Sequence, residues 1–173
     1  MNVRLAIISL VVTGCAYSPP PSPAEEDEHS LVQTRPYSAS LGCRGSFRIA
    51  PGFSSEQVDG IHNAASRWNV FLGRAYFSIS DAGTCPIVPL DLPGELGAEL
   101  DHDRGRVGVD LEHLDLFDRV SGPRFETAIM HEMGHSLGME HVEHALMAPN
   151  GLTLSEDFTE NDQAECVRIG FCS

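Results

Sequence analysis

Apolar positions recur along this chain with two different periods, and each change of period marks an element. Ser46-Phe47-Arg48-Ile49 alternates polar and apolar side chains, the pattern of a half-buried strand. Val58, Ile61, Ala65, Trp68 and Leu72 then return at steps of three and four, which predicts a helix with one apolar stripe. Ser54 with Gln57 supplies a capping box at its start, and Gly73 permits a stop at its end. Trp68 is expected in the core and His62 in solvent. Ala75 to Ser80 predicts a second strand. Pro86-Ile87-Val88-Pro89-Leu90 predicts a short edge strand, because proline is tolerated where no ladder partner needs its N–H. An acidic, glycine-bearing loop follows to about Arg104. Alternation returns from Arg106 to Leu111 as a third strand, with Val107, Val109 and Leu111 on one face and Asp110 on the other.

Helical periods resume in the second half. Ser121-Gly122-Pro123 reads as a helix start, with Pro123 near the first position, where its missing N–H costs nothing. Phe125, Ile129 and Met133 are its expected buried row. Ala148-Pro149-Asn150-Gly151 reads as a rigid turn. Thr159 with Asp162 opens a last helix, to which Ala164, Val167 and Ile169 supply apolar contacts before Gly170 ends it. Strands and helices in this order predict an α+β domain over residues 41–173, long enough for a hydrophobic core.

Residues 1–14 differ in kind. Arg4 is their only charge, and Leu5 to Val12 is too short to span a bilayer but fits an export-signal core. Val12-Thr13-Gly14-Cys15 resembles the bacterial lipobox, which implies acylation of Cys15 as the first mature residue. A plain secretory peptide cut near Ala16 is the alternative. Residues 15–40, with Pro19, Pro20, Pro21, Pro23 and Glu25-Glu26-Asp27-Glu28, cannot bury enough apolar surface to order and read as a disordered tether. An exported protein anchored to the bacterial cell envelope follows, at the outer membrane in a Gram-negative cell because Ala16 is not the aspartate of inner-membrane retention. The lipid would be its only membrane contact.

The formal net charge of −14 argues against nucleic acid or an anionic membrane surface as partner. A monomer is expected. Cys43, Cys85, Cys166 and Cys172 remain once Cys15 is set aside, and an even number in an exported chain implies two disulfides. Three connectivities are open. Proximity along the chain favours Cys43–Cys85 with Cys166–Cys172.

The densest chemistry lies in His131-Glu132-Met133-Gly134-His135-Ser136-Leu137-Gly138-Met139-Glu140-His141. Residues four apart share a helix face, so His131 and His135 can present two nitrogens to one metal. Gly138 is placed to end the helix in a left-handed residue and return His141 as a third ligand. Chance should produce this coincidence in fewer than roughly one chain in 10^3. Ala145-Leu146-Met147-Ala148-Pro149 follows closely.

Together, residues 131–149 resemble the metzincin zinc endopeptidases, most nearly their matrixin-like branch. In that family HExxHxxGxxH is followed by a tight turn whose methionine lies under the metal, and Met147 matches it. The gap from His141 to Met147 is shorter than in animal matrixins. The resemblance implies a twisted mixed sheet backed by two helices, then an active-site helix, the methionine turn and a C-terminal helix. It also implies a structural cation in the loop at Asp101-His102-Asp103, against which stands an ordinary polar turn.

Three neutral histidines leave one tetrahedral position of a Zn2+ ion to water, whose acidity the ion raises. Glu132 is then placed to take that proton and return it to a leaving nitrogen, so the expected substrate is a protein or peptide. A non-catalytic zinc-binding surface lipoprotein is the alternative. It would have no need of Glu132, and a purely structural site is usually closed by a fourth protein ligand.

Overall fold

A computed structural model describes residues 43–92, 97–118, 125–149 and 155–173. The export signal, Cys15, the tether, the helix start at Ser121-Gly122-Pro123 and Asn150-Gly151 lie outside the described residues. Within them the chain runs β1 (Ser46–Ile49), α1 (Ser55–Phe71), β2 (Ser78–Ile79), β3 (Cys85–Pro89), β4 (Ala98–Asp101), β5 (Arg106–Val109), α2 (Leu111–Asp118), α3 (Phe125–Leu137) and α4 (Glu160–Arg168). The strands form one five-stranded sheet in the order β2-β1-β3-β5-β4. Every pairing is parallel except that of β4 with β5. The fold is α+β with a mixed sheet.

α1 begins as its sequence predicts. The Ser54 hydroxyl accepts from Gln57 N–H at 3.2 Å, and Ser54 N–H donates to the Gln57 side chain at 2.8 Å. Ile61, Ala64, Ala65 and Trp68 are buried, whereas His62 is exposed. After Leu72 the chain turns through Gly73 at φ +64°. α1 packs against α3, and the Trp68 indole N–H donates to Met130 O at 2.8 Å, tying the last turn of α1 to the middle of α3.

Several elements depart from the sequence expectation, each for a local reason. The second strand is only Ser78–Ile79. Ahead of it, Asn69 replaces a strand partner: its side-chain oxygen accepts from Tyr76 and Phe77 N–H at 2.8 Å each, and its amide donates to Phe77 O at 2.9 Å.

β3 is the central strand, not an edge. Its prolines survive there because of register. Ile87 gives its carbonyl to Ala50 N–H on the β1 side, and Leu90 gives its N–H to Val109 O on the β5 side. Alternation then points Pro86 N toward β5, where pairing starts only at Ile87↔Val107. Pro89 N points toward β1, where pairing has already ended at Ile49↔Ile87. Each missing donor falls just past the end of a neighbouring strand.

Ala98–Asp101, expected as loop, is the edge strand β4, joined to β5 by a turn with Gly105 at φ +60°. Leu111 is not in the third expected strand but opens α2. Asp110 stops the strand by capping that helix, its carboxylate accepting from His113 N–H at 2.9 Å and Leu92 N–H at 3.2 Å.

In α4, Val167 is 48% exposed and Ala164 is also at the surface. The buried face carries Asp162, Glu165 and Cys166 instead. Disulfides Cys43–Cys85 and Cys166–Cys172 both form, the first linking the approach to β1 with β3 and the second closing the turn after α4. No helix among the described residues is long and apolar enough to cross a membrane. The disulfides indicate an oxidising compartment.

Candidate metal centre

α3 is buried on every side from Thr127 to Leu137, so its polar residues must be satisfied internally. His131 and His135 stand one turn apart on it, 8% and 5% exposed. Gly138 ends the helix at φ +92°, with its N–H on His135 O at 2.9 Å and Met139 N–H on Gly134 O at 3.2 Å. That reversal brings the exposed His141 back to the pair. The expected ligands meet: His135 Nε2 lies 3.0 Å from His131 Nε2 and 3.2 Å from His141 Nε2.

Tautomers show what these rings need. His131 Nδ1 is 2.8 Å from Leu146 O and His135 Nδ1 is 2.9 Å from Met139 O. A carbonyl only accepts, so each Nδ1 carries the hydrogen, and in the neutral ring each Nε2 presents a lone pair. Two lone pairs at 3.0 Å repel unless a cation stands between them. A tetrahedral ion with bonds of 2.0–2.1 Å spaces its nitrogens about 3.3 Å apart, close to what is found. The ligand atoms of His131, His135 and His141 all lie within 4.8 Å of one another, so the group can hold a metal ion.

Burial keeps the rings neutral. It lowers His131 to about 4, assisted by His141 and opposed by the Leu146 carbonyl, and His135 to about 3, with His131 next in effect. His141 is lowered by desolvation. Neutral imidazole is the ligating form.

Glu132 is 6% exposed, and its Oε2 accepts from Leu100 N–H on β4 at 2.6 Å. Burial pushes its carboxyl up to about 8, against the lowering effect of that hydrogen bond and with a further rise from Glu99. A cation on the adjacent histidines would draw it back toward the carboxylate form.

Met147 is fully buried. A β-carbon on Gly134 would overlap its sulfur, with Met147 Cε at 3.0 Å and Trp68 Cζ2 at 3.1 Å. The turn is closed by Val142 N–H on Met147 O at 2.7 Å and Ala148 N–H on Ala145 O at 3.2 Å.

Three supports were not assigned from the sequence. Asp162, expected only as a helix cap, is fully buried and accepts from Leu146 N–H at 3.0 Å, Met147 N–H at 3.1 Å and Thr159 N–H at 2.8 Å. Glu165 accepts from Glu140 N–H at 3.0 Å, beside His141. Leu100 N–H belongs to the strand read as loop. The capping box at Thr159 marked Asp162; nothing in the sequence marked the other two.

Asp101 ends β4, and His102 and Asp103 stand in the turn that follows. Asp101 accepts from Arg104 N–H at 3.0 Å and pairs with Arg104 at 2.9 Å and Arg106 at 3.4 Å, which leaves it committed to guanidiniums. His102 stands near enough to His135 for a charge on it to lower that ring's proton affinity.

No family model matches this chain, and no curated protein matches it.

Proposed function

We propose that this chain is a zinc-dependent endopeptidase of the metzincin, matrixin-like type. The observation that carries the reading is Glu132, an acid buried beside three converging acceptor nitrogens yet held by Leu100 N–H rather than placed among the ligand atoms. A structural site has no use for it. Zinc on His131, His135 and His141 would supply Lewis acidity to a peptide carbonyl and to water. Glu132 takes the proton of the attacking water and returns it to the leaving nitrogen. Leu100 N–H holds the carboxylate for that exchange. β4 lies at the sheet edge beside α3, so an extended peptide has a strand to run along.

Replacing Glu132 with glutamine tests this, since the three histidines stay intact. Zinc content and folding should persist while hydrolysis of an unstructured protein falls by roughly 10^2 to 10^4. Wild-type hydrolysis should vanish with a chelator and return with zinc. Near-full activity in Glu132→Gln would reject the mechanism. A wild type that binds zinc but cuts nothing across a broad peptide library would favour a non-catalytic zinc-binding surface lipoprotein.

The same proposal includes export and acylation at Cys15, supported by Val12-Thr13-Gly14-Cys15 and by the two disulfides. Labelled fatty acid should enter the wild type in a bacterial host. Unchanged membrane partition of Cys15→Ala would reject the anchor.

A further inference from the structure

The three ligands are not held alike. His131 and His135 have their second ring nitrogens fixed by backbone carbonyls, whereas among the described residues His141 makes ring contacts only with the other two histidines. Its position therefore depends on the backbone that carries it. Val142 N–H, on one side, is closed onto Met147 O at 2.7 Å. On the other side, Glu140 N–H donates to Glu165 Oε1 at 3.0 Å.

Glu165 is a rigid acceptor. It is only 8% exposed, and Arg168 grips both its oxygens, Nε on Oε2 and Nη2 on Oε1 at 2.6 Å each. Such a fork fixes the carboxylate plane as well as its charge. Arg168, then the Glu140 N–H, hold its carboxyl below the usual glutamate value despite burial. The Cys166–Cys172 disulfide, next in the chain, anchors the turn of α4 that presents it.

We propose that Glu165 is a positioning residue for the metal centre: fixed by Arg168, its carboxylate holds Glu140 N–H and so sets where His141 stands. It rests on the metal-binding part of the proposed function and not on hydrolysis. Partners at one remove from a metal tune affinity by 10–100-fold when lost, and Glu165 belongs to that class although it grips backbone rather than ring.

Zinc affinity of the full chain, measured by competition with a chromophoric chelator, tests this alongside the visible spectrum of the cobalt-substituted protein. Glu165→Ala should bind zinc about 10–100-fold more weakly and alter the cobalt bands. Glu165→Gln keeps an acceptor oxygen and should recover most of the affinity. Arg168→Ala, a change at a side chain 55% exposed, should shift affinity the same way by less, and it decides the matter where Glu165→Ala does not fold. A merely stabilising role would lower thermal midpoints and leave affinity and spectrum unchanged, which would overturn the proposal. A wild type that binds no zinc would overturn the metal centre itself and this proposal with it.

Discussion

The sulfur of Met147 occupies the space that a β-carbon on Gly134 would need. Glycine inside a helix is normally a liability, so its presence between His131 and His135 has a cause in packing rather than in helix propensity. Gly134→Ala should destabilise the fold by about 1–3 kcal/mol through overpacking, despite alanine's better helix propensity. Denaturant melts check this. Adding Met147→Ala should cost less than the sum of the two single changes, because the clash goes with the sulfur.

Acid and base should both weaken the metal-free chain. His131 and His135, lowered by burial to about 4 and about 3 from 6.5, take fewer protons folded than unfolded over that interval. His102 and His141, also lowered mainly by burial, act in the same sense. Stability therefore rises with pH toward 6.5, by about 1.4 kcal/mol per pH unit for each proton of difference. Glu132, raised from 4.5 to about 8, holds an extra proton when folded, so its contribution falls as pH rises across that window. Below 6.5 the histidines outweigh one carboxyl, and above it Glu132 acts alone. Thermal midpoints of chelator-treated protein should peak near pH 6.5 and decline toward 5 and 8. A midpoint still climbing at pH 8 would contradict the raised Glu132.

Asp162→Ala should be among the most damaging single changes. It leaves the buried Leu146 and Met147 N–H groups without their acceptor, at about 1–3 kcal/mol apiece before relaxation, and removes the partner of the half-buried Thr159 N–H as well. Leu146 O also orients His131, so zinc affinity should drop with stability. Chelator competition and thermal melts on the same sample separate the two losses. Unchanged zinc affinity in a folded Asp162→Ala would show that Leu146 stays in place without it.

The histidine cluster was legible in the sequence because its geometry is local: one helical turn sets His131 against His135, and one left-handed glycine returns His141. α1 was legible for the same reason, its stripe and its cap both lying within a few residues. The prolines of β3 predict an edge because the rule for proline concerns hydrogen bonds, and which bonds exist depends on where β1 ends and β5 begins. β4 offered only Leu100 as a buried apolar residue, too little alternation to announce a strand. The surface-facing Ala164 and Val167 show the converse. α4 buries carboxylates because backbone N–H groups from distant turns require acceptors, and no periodicity of apolar residues reports that demand.

Pro86 and Pro89 have a consequence for the chain before its sheet is complete. Parallel strands pair late, since their partners are distant in sequence, and an unpaired apolar strand is a template for other copies of itself. β3 holds the core positions Cys85 and Ile87 and, within the same five residues, two without a donor N–H, Pro86 and Pro89. While β1 and β5 are still undocked, a second chain meeting β3 finds gaps on both of its edges and cannot extend a continuous ladder along either. The register of the finished sheet hides those gaps at strand ends. The same two residues that cost the native sheet no ladder bond would interrupt a ladder built on β3 by another copy of the chain.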